Sequence, residues 1–217
     1  MGEHQFVTEP RSLKEGERIG TWARTNTGRI YYPLDLRPDE VEIEDIANAL
    51  GNICRYGGHV DSFWSVAQHS YLISCLVEPY CKTDEERWLF PMWGLMHDAH
   101  EAYLGDLIRP LKKFLFLMAP ELKAAIERAD DAICTKFNIP RECPSIVQHL
   151  DEVMLESETL MLRPNAPLNY STHGEDYQEQ KLEPARDWKS WVSWAPDIAR
   201  DQFLNRFDQI ESMRRAA

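Results

Sequence analysis

The sequence predicts an all-α fold, a helical bundle that carries a small N-terminal β-hairpin. In the segments that follow residue 44, apolar residues recur every three or four positions, the period of a helix with one buried face. Before residue 37 the pattern differs, because two β-favouring runs flank a turn signal at Asn26. The chain has 217 residues, 43% of them hydrophobic, which suffices for one ordinary domain.

The N-terminal region predicts an arm followed by the hairpin. Residues 1–18 are polar and predict a flexible arm, whereas residues 19–217 predict a single helical domain. Within residues 19–36, aromatic and β-branched residues stand on both sides of Asn26-Thr27-Gly28, a sequence typical of a tight turn. We therefore expect a short hairpin at the start of the domain.

The first half of the domain predicts three helices. The first begins near Glu44 and is stopped by the glycine pair Gly57-Gly58. The second spans residues 65–77. The third opens at Thr83, the first residue of a capping box, and is expected to continue to residue 105 with a bend at Pro91.

The second half predicts three more helices and one long loop. Helices are expected over residues 121–137, 144–162 and 197–213, the last with Pro196 in its first turn. Residues 163–184 are rich in Pro, Asn, Gly and acidic side chains, which is typical of a loop.

Charge and composition exclude several classes of function. Lys and Arg number 24 against 36 for Asp and Glu, a net charge of −12 that opposes binding to a nucleic-acid polymer or an anionic membrane surface. No apolar run reaches the roughly 20 residues that a membrane span needs. The five cysteines contain no Cys-x-x-Cys pair, which is typical of a reduced cytoplasmic protein.

A group of metal-ligating side chains stands out on three of the predicted helices. His97 and Asp98 follow an apolar run, and on a regular helix they share an arc of 100° with Glu101. His69 and Asp151 each lie mid-helix beside apolar neighbours. Two imidazoles and two carboxylates suit Zn²⁺, Mn²⁺, Co²⁺ or Fe²⁺ rather than Ca²⁺.

These residues resemble a known enzyme superfamily. The order His69, then His97-Asp98, then Asp151 resembles the metal ligands of the HD-domain phosphohydrolases. The run from His97 to Glu101, followed by Gly105-Asp106-Leu107, is similar to bacterial HD-domain 5′-deoxynucleotidases and phage dATP triphosphohydrolases. The likeness extends over about residues 28–206 and implies an HD-domain helical bundle.

The resemblance also implies a role for each matching residue. His69, His97, Asp98 and Asp151 match the metal ligands, and the acidic residues Glu101 and Asp106 match those that handle the attacking water and the leaving oxygen. Further residues match or suit contacts with the substrate; these are Arg55, Tyr56, Lys112 and Lys113. Where the nucleotidases have a bulky Trp that screens against a ribose 2′-hydroxyl, this chain has Tyr56.

The activity implied is hydrolysis of a deoxynucleotide at the phosphorus next to the 5′-oxygen. We expect a dNTP, best dATP, to be the substrate, with deoxynucleoside and triphosphate as products. The expected cofactor is a divalent transition metal (Zn, Mn or Co), with Mg²⁺ as a second ion on the phosphates. We also expect a homo-oligomer, either a dimer or a hexamer, located in the cytoplasm. Neither a nucleic-acid polymer nor a membrane is expected as a partner.

Three other functions remain open from the sequence. The first is a 5′-deoxynucleotidase that acts on dNMPs, and the second is a regulatory module that binds a nucleotide without cleaving it. The third is a dinuclear iron oxygenase, for which His100, beside the ligand arc, would be a ligand to a second metal rather than a neighbour of one site.

Overall fold

The fold is organised around one central helix, with an N-terminal hairpin at its edge. The structure, a computed structural model, describes residues 17–163, residue 185 and residues 187–217. The first 16 residues of the predicted arm and nearly all of the predicted loop therefore lie outside the described residues. Arg18, at the end of the arm, is bound to the domain by ion pairs of 2.6 Å to Asp35 and 2.7 Å to Glu40.

The described residues confirm an all-α fold with a small N-terminal hairpin. The strands are β1 (Ala23–Arg24) and β2 (Ile30–Tyr31), which pair antiparallel around the expected turn. The first four helices are α1 (Ile43–Asn52), α2 (Val66–Leu76), α3 (Asp84–Met96) and α4 (Glu101–Leu104). The remaining helices are α5 (Arg109–Met118), α6 (Pro120–Phe137), α7 (Ser145–Leu162) and α8 (Pro196–Ala216).

Helix α2 is the centre of the fold and packs against α1, α3, α7 and α8. Because it is enclosed, its polar side chains need partners inside the protein. Buried Gln68 donates to the carbonyl oxygen of Val192 (2.7 Å) and accepts from the backbone N–H of Trp194 (2.9 Å). Ser74 is bonded through its Oγ and its carbonyl oxygen to the guanidinium of Arg206 on α8. The polar groups of α2 thus bind the C-terminal segment to the core.

Helix α3 lies unusually close to α2 at Gly94. A Cβ atom at this position would come within 2.8 Å of the Ser74 backbone. Only glycine permits this approach, which brings the C-terminal end of α3 to the side of α2 that carries His69.

Two predicted helices end earlier than expected. The first ends at Asn52, before Arg55–Gly58 form a 3-10 turn, and the third ends at Met96 instead of residue 105. After Met96 the amides of Ala99 and Glu101 bond the carbonyls three residues back, at 2.9 and 3.0 Å, so the chain tightens before α4 begins. Pro91 does not interrupt α3.

Helix α5 was not expected from the sequence, and its outer face is apolar. Its residues Leu111, Phe114, Leu117 and Met118 are 43%, 57%, 81% and 68% exposed, and it has no buried residue. No described helix is long and apolar enough to cross a membrane.

Candidate metal centre

The four predicted metal ligands meet where α2, the end of α3 and α7 converge. His69 belongs to α2, His97 and Asp98 follow α3, and Asp151 belongs to the first half of α7. The Nε2 atoms of the two histidines are 3.3 Å apart, and Asp151 Oδ1 lies 3.2 Å from His69 Nε2 and 3.9 Å from His97 Nε2. The group of His69, His97 and Asp151 can hold a metal ion.

Asp98 lies against the same group. Its Oδ2 atom is 3.2 Å from His97 Nε2 and 3.7 Å from His69 Nε2. A metal ion with bonds of about 2.1 Å separates neighbouring ligand atoms by about 3.0 to 3.4 Å. Three of the five spacings (3.2, 3.2 and 3.3 Å) lie in that range, and the other two, of 3.7 and 3.9 Å, exceed its upper end by about 0.3 and 0.5 Å.

The hydrogen bonds of the two imidazoles leave their Nε2 lone pairs facing the centre of the cluster. His97 Nδ1 lies 2.9 Å from the carbonyl oxygen of Gly94, which can only accept, so this nitrogen carries a proton. His69 Nδ1 lies 2.8 Å from Oε1 of Glu158 and donates to that carboxylate. Two lone pairs and the carboxylate of Asp151 then face one another, with Asp98 beside the histidines, an arrangement that favours a cation.

In the absence of a metal, a proton on His97 supplies the positive charge. Burial disfavours the charged form of His97, but Asp98, Asp151 and the Gly94 carbonyl outweigh it and raise the pKa of His97 to about 9. Burial works against the ionised form of Asp98 as well, yet His97 holds the pKa of Asp98 well below its usual range. Binding of a metal at neutral pH must therefore release the proton from His97.

A cavity of about 460 Å³ opens beside the cluster. Seven of the predicted site residues line it; these are Arg55, Tyr56, Asp98, Glu101, Asp106, Lys112 and Asp151. The other lining residues are His59, Leu107, Ile108, Arg109, Pro110, Leu155, Thr159 and Arg163. The wall thus combines positive groups, acidic groups and an apolar part.

The two predicted lysines lie in different places. Lys112 lines the cavity and forms no ion pair with any residue that the structure describes. Lys113 is exposed on α5 and does not line the cavity. Of the lining arginines that sequence reasoning did not select, Arg109 is bound to Glu152 at 2.9 Å, and Arg163 lies 5.6 Å from the ring of Tyr56.

Glu101 is buried with one oxygen unpaired. It is 5% exposed, and its Oε2 has no hydrogen-bond partner among the described residues. Burial, reinforced by the negative charges of Asp98 and Asp106, raises the pKa of Glu101 well above its ordinary value. Burial also raises the pKa of Asp106. Glu101 therefore holds a proton next to the cluster at a pH where a carboxyl group is normally ionised.

Arg55 and Tyr56 reach the cavity from the 3-10 turn after α1. Backbone bonds from Arg55 to Trp64 (2.9 Å) and from Val66 to Ile53 (3.1 Å) clamp the base of this turn to the start of α2. Tyr56 has a φ of 59°, a left-handed conformation that is rare for a residue with a Cβ. The turn thereby directs both side chains towards α7.

Sequence reasoning missed Glu158, the buried carboxylate that binds both of these side chains. It accepts hydrogen bonds from four groups: Arg55 Nε at 2.9 Å, Tyr56 OH at 2.8 Å, Trp64 Nε1 at 2.7 Å and His69 Nδ1 at 2.8 Å. Its position seven residues after Asp151 was the available signal, because residues seven apart share one face of a helix.

His100 points to a different partner. Its Nδ1 lies 3.0 Å from Asp130 Oδ1 on α6, although the two atoms lack the alignment of a hydrogen bond. The described metal-ligating group does not include His100.

Two relatives of the chain are described as uncharacterized proteins. It is 32% identical over 197 residues to the uncharacterized protein YfdR of Escherichia coli, an alignment that covers 91% of this chain and 99% of YfdR. It is 35% identical over 129 residues to the uncharacterized protein RCAP_rcc00048 of Rhodobacter capsulatus, which covers 58% of this chain and 63% of that protein. No protein-family model matches the chain. An alignment that spans nearly all of YfdR at this identity means that the chain belongs to the YfdR family.

Proposed function

We propose that this protein is a metal-dependent phosphohydrolase of the HD-domain type. Its proposed substrate is a deoxynucleoside triphosphate, best dATP, cleaved at the phosphorus next to the 5′-oxygen to give deoxynucleoside and triphosphate. The observation that carries the proposal is the position of the His69–His97–Asp151 group beside a cavity whose wall supplies both positive groups and the buried carboxyl group of Glu101.

The donor set supports a resident divalent transition metal, Zn, Mn or Co, held by His69, His97, Asp98 and Asp151. When bound, such an ion supplies positive charge for a phosphoryl oxygen and lowers the pKa of a bound water towards about 7. A second ion, Mg²⁺, would accompany the substrate phosphates.

The remaining steps fall to side chains of the cavity wall. Arg55 and Lys112 bind phosphate oxygens, which a chain of net charge −12 needs local positive groups to attract. Glu101 carries the proton that a leaving 5′-oxygen must receive, and Asp106 accepts a proton from the attacking water. A protein that only held a nucleotide would gain nothing from a buried carboxyl with an unpaired oxygen.

A triphosphate is preferred to a monophosphate because more than one positive group lines the cavity. Lys112 and Arg163 line it in addition to Arg55, and Arg109 lines it while paired with Glu152. The Arg55-Tyr56-Gly57-Gly58 and Gln68-His69 sequences favour the same substrate, since they resemble those of the phage dATP hydrolases.

Oligomeric state and location belong to the proposal as well. The exposed apolar face of α5 supports a homo-oligomer, a dimer or a hexamer, because side chains such as Leu117 gain from burial. All five cysteines are free thiols, which fits the reducing cytoplasm.

Product analysis tests the proposal. Deoxy and ribo nucleotides, as mono- and triphosphates, are incubated with the protein and Co²⁺, Mn²⁺, Mg²⁺ or Zn²⁺, with the His97→Ala and Asp98→Ala variants alongside. We expect deoxynucleoside and triphosphate from dATP, and neither product from the variants. Release from monophosphates alone makes the protein a 5′-nucleotidase, and binding without release makes it a regulatory module. Two metals per chain together with oxygen consumption would identify an oxygenase.

A further inference from the structure

Glu158 is the most completely bonded carboxylate of the described residues. It is 0% exposed, and each of its oxygens accepts two hydrogen bonds, from Trp64 and His69 on Oε1 and from Arg55 and Tyr56 on Oε2. Burial alone would favour the neutral acid, but Arg55 and His69 together lower the pKa of Glu158 to about 2. The group is therefore a fixed negative charge inside the core.

The two oxygens serve different parts of the site. Oε1 holds the imidazole of a metal ligand, whereas Oε2 holds the guanidinium that faces the cavity. We propose that Glu158 is a positioning residue that couples metal binding at His69 to phosphate binding at Arg55. The part of the proposal that concerns metal binding is argued from the geometry of the cluster, whereas the part that concerns phosphate binding rests on the proposed function.

Only a carboxylate satisfies all four donors. In Glu158→Gln, an NH₂ group replaces one of the two oxygens. This NH₂ group is a donor, and it would face two N–H or O–H groups that are donors as well. Trp64 and Arg55 have no acceptor atom with which to adapt, whereas Tyr56 can turn its hydroxyl and accept. In either orientation of the amide, Trp64 or Arg55 faces the NH₂ group and loses its bond, and both His69 and Arg55 lose a negatively charged partner.

On the metal side, Glu158 fixes which nitrogen of His69 carries the proton. Because Nδ1 donates to Oε1, Nε2 is left with its lone pair towards Asp151 and His97. Carboxylates that orient a ligating histidine in this way typically change metal affinity by 10- to 100-fold when removed.

On the cavity side, Glu158 fixes the orientation of the Arg55 guanidinium group. Its Nε is bound at 2.9 Å, and NH1 lies 3.6 Å from Asp98 Oδ2, so the guanidinium is held between the buried carboxylate and the cluster. A phosphate group that binds Arg55 is consequently placed beside the metal ligands rather than elsewhere on the wall.

The carboxylate cannot move independently, because its partners are themselves packed. The Trp64 ring stacks on Trp191 at 6.4 Å, and Gln68 binds the backbone on either side of Ser193. The C-terminal segment therefore supports Trp64 from behind and keeps its N–H directed at Glu158.

Three measurements on the intact protein test the coupling. Zn²⁺ affinity is measured by competition with a chromophoric chelator, and affinity of the Zn-loaded protein for inorganic tripolyphosphate by calorimetry. The protonated nitrogen of His69 is identified by ¹⁵N NMR. We compare wild type with Glu158→Gln and Glu158→Asp. The matched control is Glu40→Gln, which changes a buried carboxylate that is bound to Arg18 and does not line the cavity.

We expect Glu158→Gln to bind tripolyphosphate at least about tenfold more weakly and Zn²⁺ about 10- to 100-fold more weakly, with no change in Glu40→Gln. Glu158→Asp, whose shorter side chain cannot reach all four donors, should lose at least one of the two affinities. A folded Glu158→Gln that keeps both affinities within twofold of wild type overturns the proposal. If neither variant folds, the ¹⁵N spectrum of the wild type is decisive. A proton on Nε2 of His69 instead of Nδ1 overturns the proposal. None of these measurements involves hydrolysis, so an inactive wild type that still shows the coupling would reject only the proposed function.

Discussion

Two buried glutamates flank the metal cluster and have opposite properties. Glu158 is bonded to four donors and its pKa falls to about 2, while Glu101 keeps an oxygen without a partner and its pKa rises well above the ordinary value. Burial disfavours the charge on both. Their neighbours differ, since Glu158 faces Arg55 and His69 whereas Glu101 faces Asp98 and Asp106. The same residue type thus provides a permanent charge on one side of the cluster and a transferable proton on the other.

The contrast between Glu101 and Glu158 depends first on whether the neighbouring cluster binds a metal. In His97→Ala the Nε2 ligand is lost, and we expect metal content to fall from one ion per chain to less than about a tenth, with hydrolysis abolished. Elemental analysis of the purified protein measures this effect. His149→Ala, an exposed histidine on α7, should keep its metal, and loss of metal from both variants would point to general damage instead.

Replacing the proton-bearing carboxyl should separate stability from activity. We expect Glu101→Gln to lower the rate of hydrolysis by about 10²- to 10⁴-fold, because the proton donor is gone. At pH 7 it should raise the free energy of unfolding, because burial and the nearby negative charges make the ionised form of Glu101 unfavourable in the folded protein.

The sign of that stability gain follows from linkage. The pKa of Glu101 is raised in the folded state above its ordinary value of 4.5, so the native protein must keep a proton that the unfolded chain releases at neutral pH. The advantage of Glu101→Gln should therefore shrink as the pH falls towards 4. Denaturant unfolding at pH 4 and pH 7 measures it, and an equal difference at both pH values would contradict the assignment.

The pH dependence of metal affinity tests the charge balance at the cluster itself. Because the pKa of His97 in the metal-free protein is about 9, each metal bound below that pH displaces one proton. We expect apparent Zn²⁺ affinity to rise about tenfold per pH unit from pH 6.5 to pH 8.5. Chelator competition at fixed ionic strength measures the slope, and a flat profile would mean that His97 is neutral before metal binds.

The smallest effect concerns the two adjacent lysines. Lys112 lines the cavity and Lys113 does not, so Lys112→Ala should raise the KM for dATP about tenfold and Lys113→Ala by less than about twofold. Steady-state kinetics on both variants measures this. Equal effects would show that the positive charge of α5 acts at long range, in which case raising the salt concentration should remove both.

The sequence predicted which candidate ligands come together better than it predicted the elements that carry them. His69, His97, Asp98 and Asp151 do meet, although His97 and Asp98 lie in a tightened turn after α3 and not inside a helix. Hydrophobic period could not detect that turn, since the change from i−4 to i−3 backbone bonds shifts the spacing by less than one residue per turn. Helix α5 was missed although its sequence carried the signal, with Pro110 in the first turn and the apolar residues Leu111, Phe114, Leu115 and Met118 three or four positions apart.

Glu158 illustrates a different limit. Its sequence neighbourhood, between Ser157 and Thr159, gives no sign of burial. Its role depends on four donors from the segment between residues 55 and 69, and on a turn in which Tyr56 adopts a positive φ. Such a contact between distant segments is a property of tertiary packing. The spacing from Asp151 places Glu158 on the right face of α7 but cannot say what it meets there.

The packing of α2 also sets the order in which the protein can mature. Phe203 and Ile210 of α8 are fully buried, α8 packs against the central helix, and Gln68 beside His69 finds its partners only at Val192 and Trp194. On the ribosome, every metal ligand is synthesised before these residues. The nascent chain therefore carries its complete set of ligands while the helix that bears His69 is still uncovered, and we expect stable metal loading only after α8 has left the exit tunnel and docked.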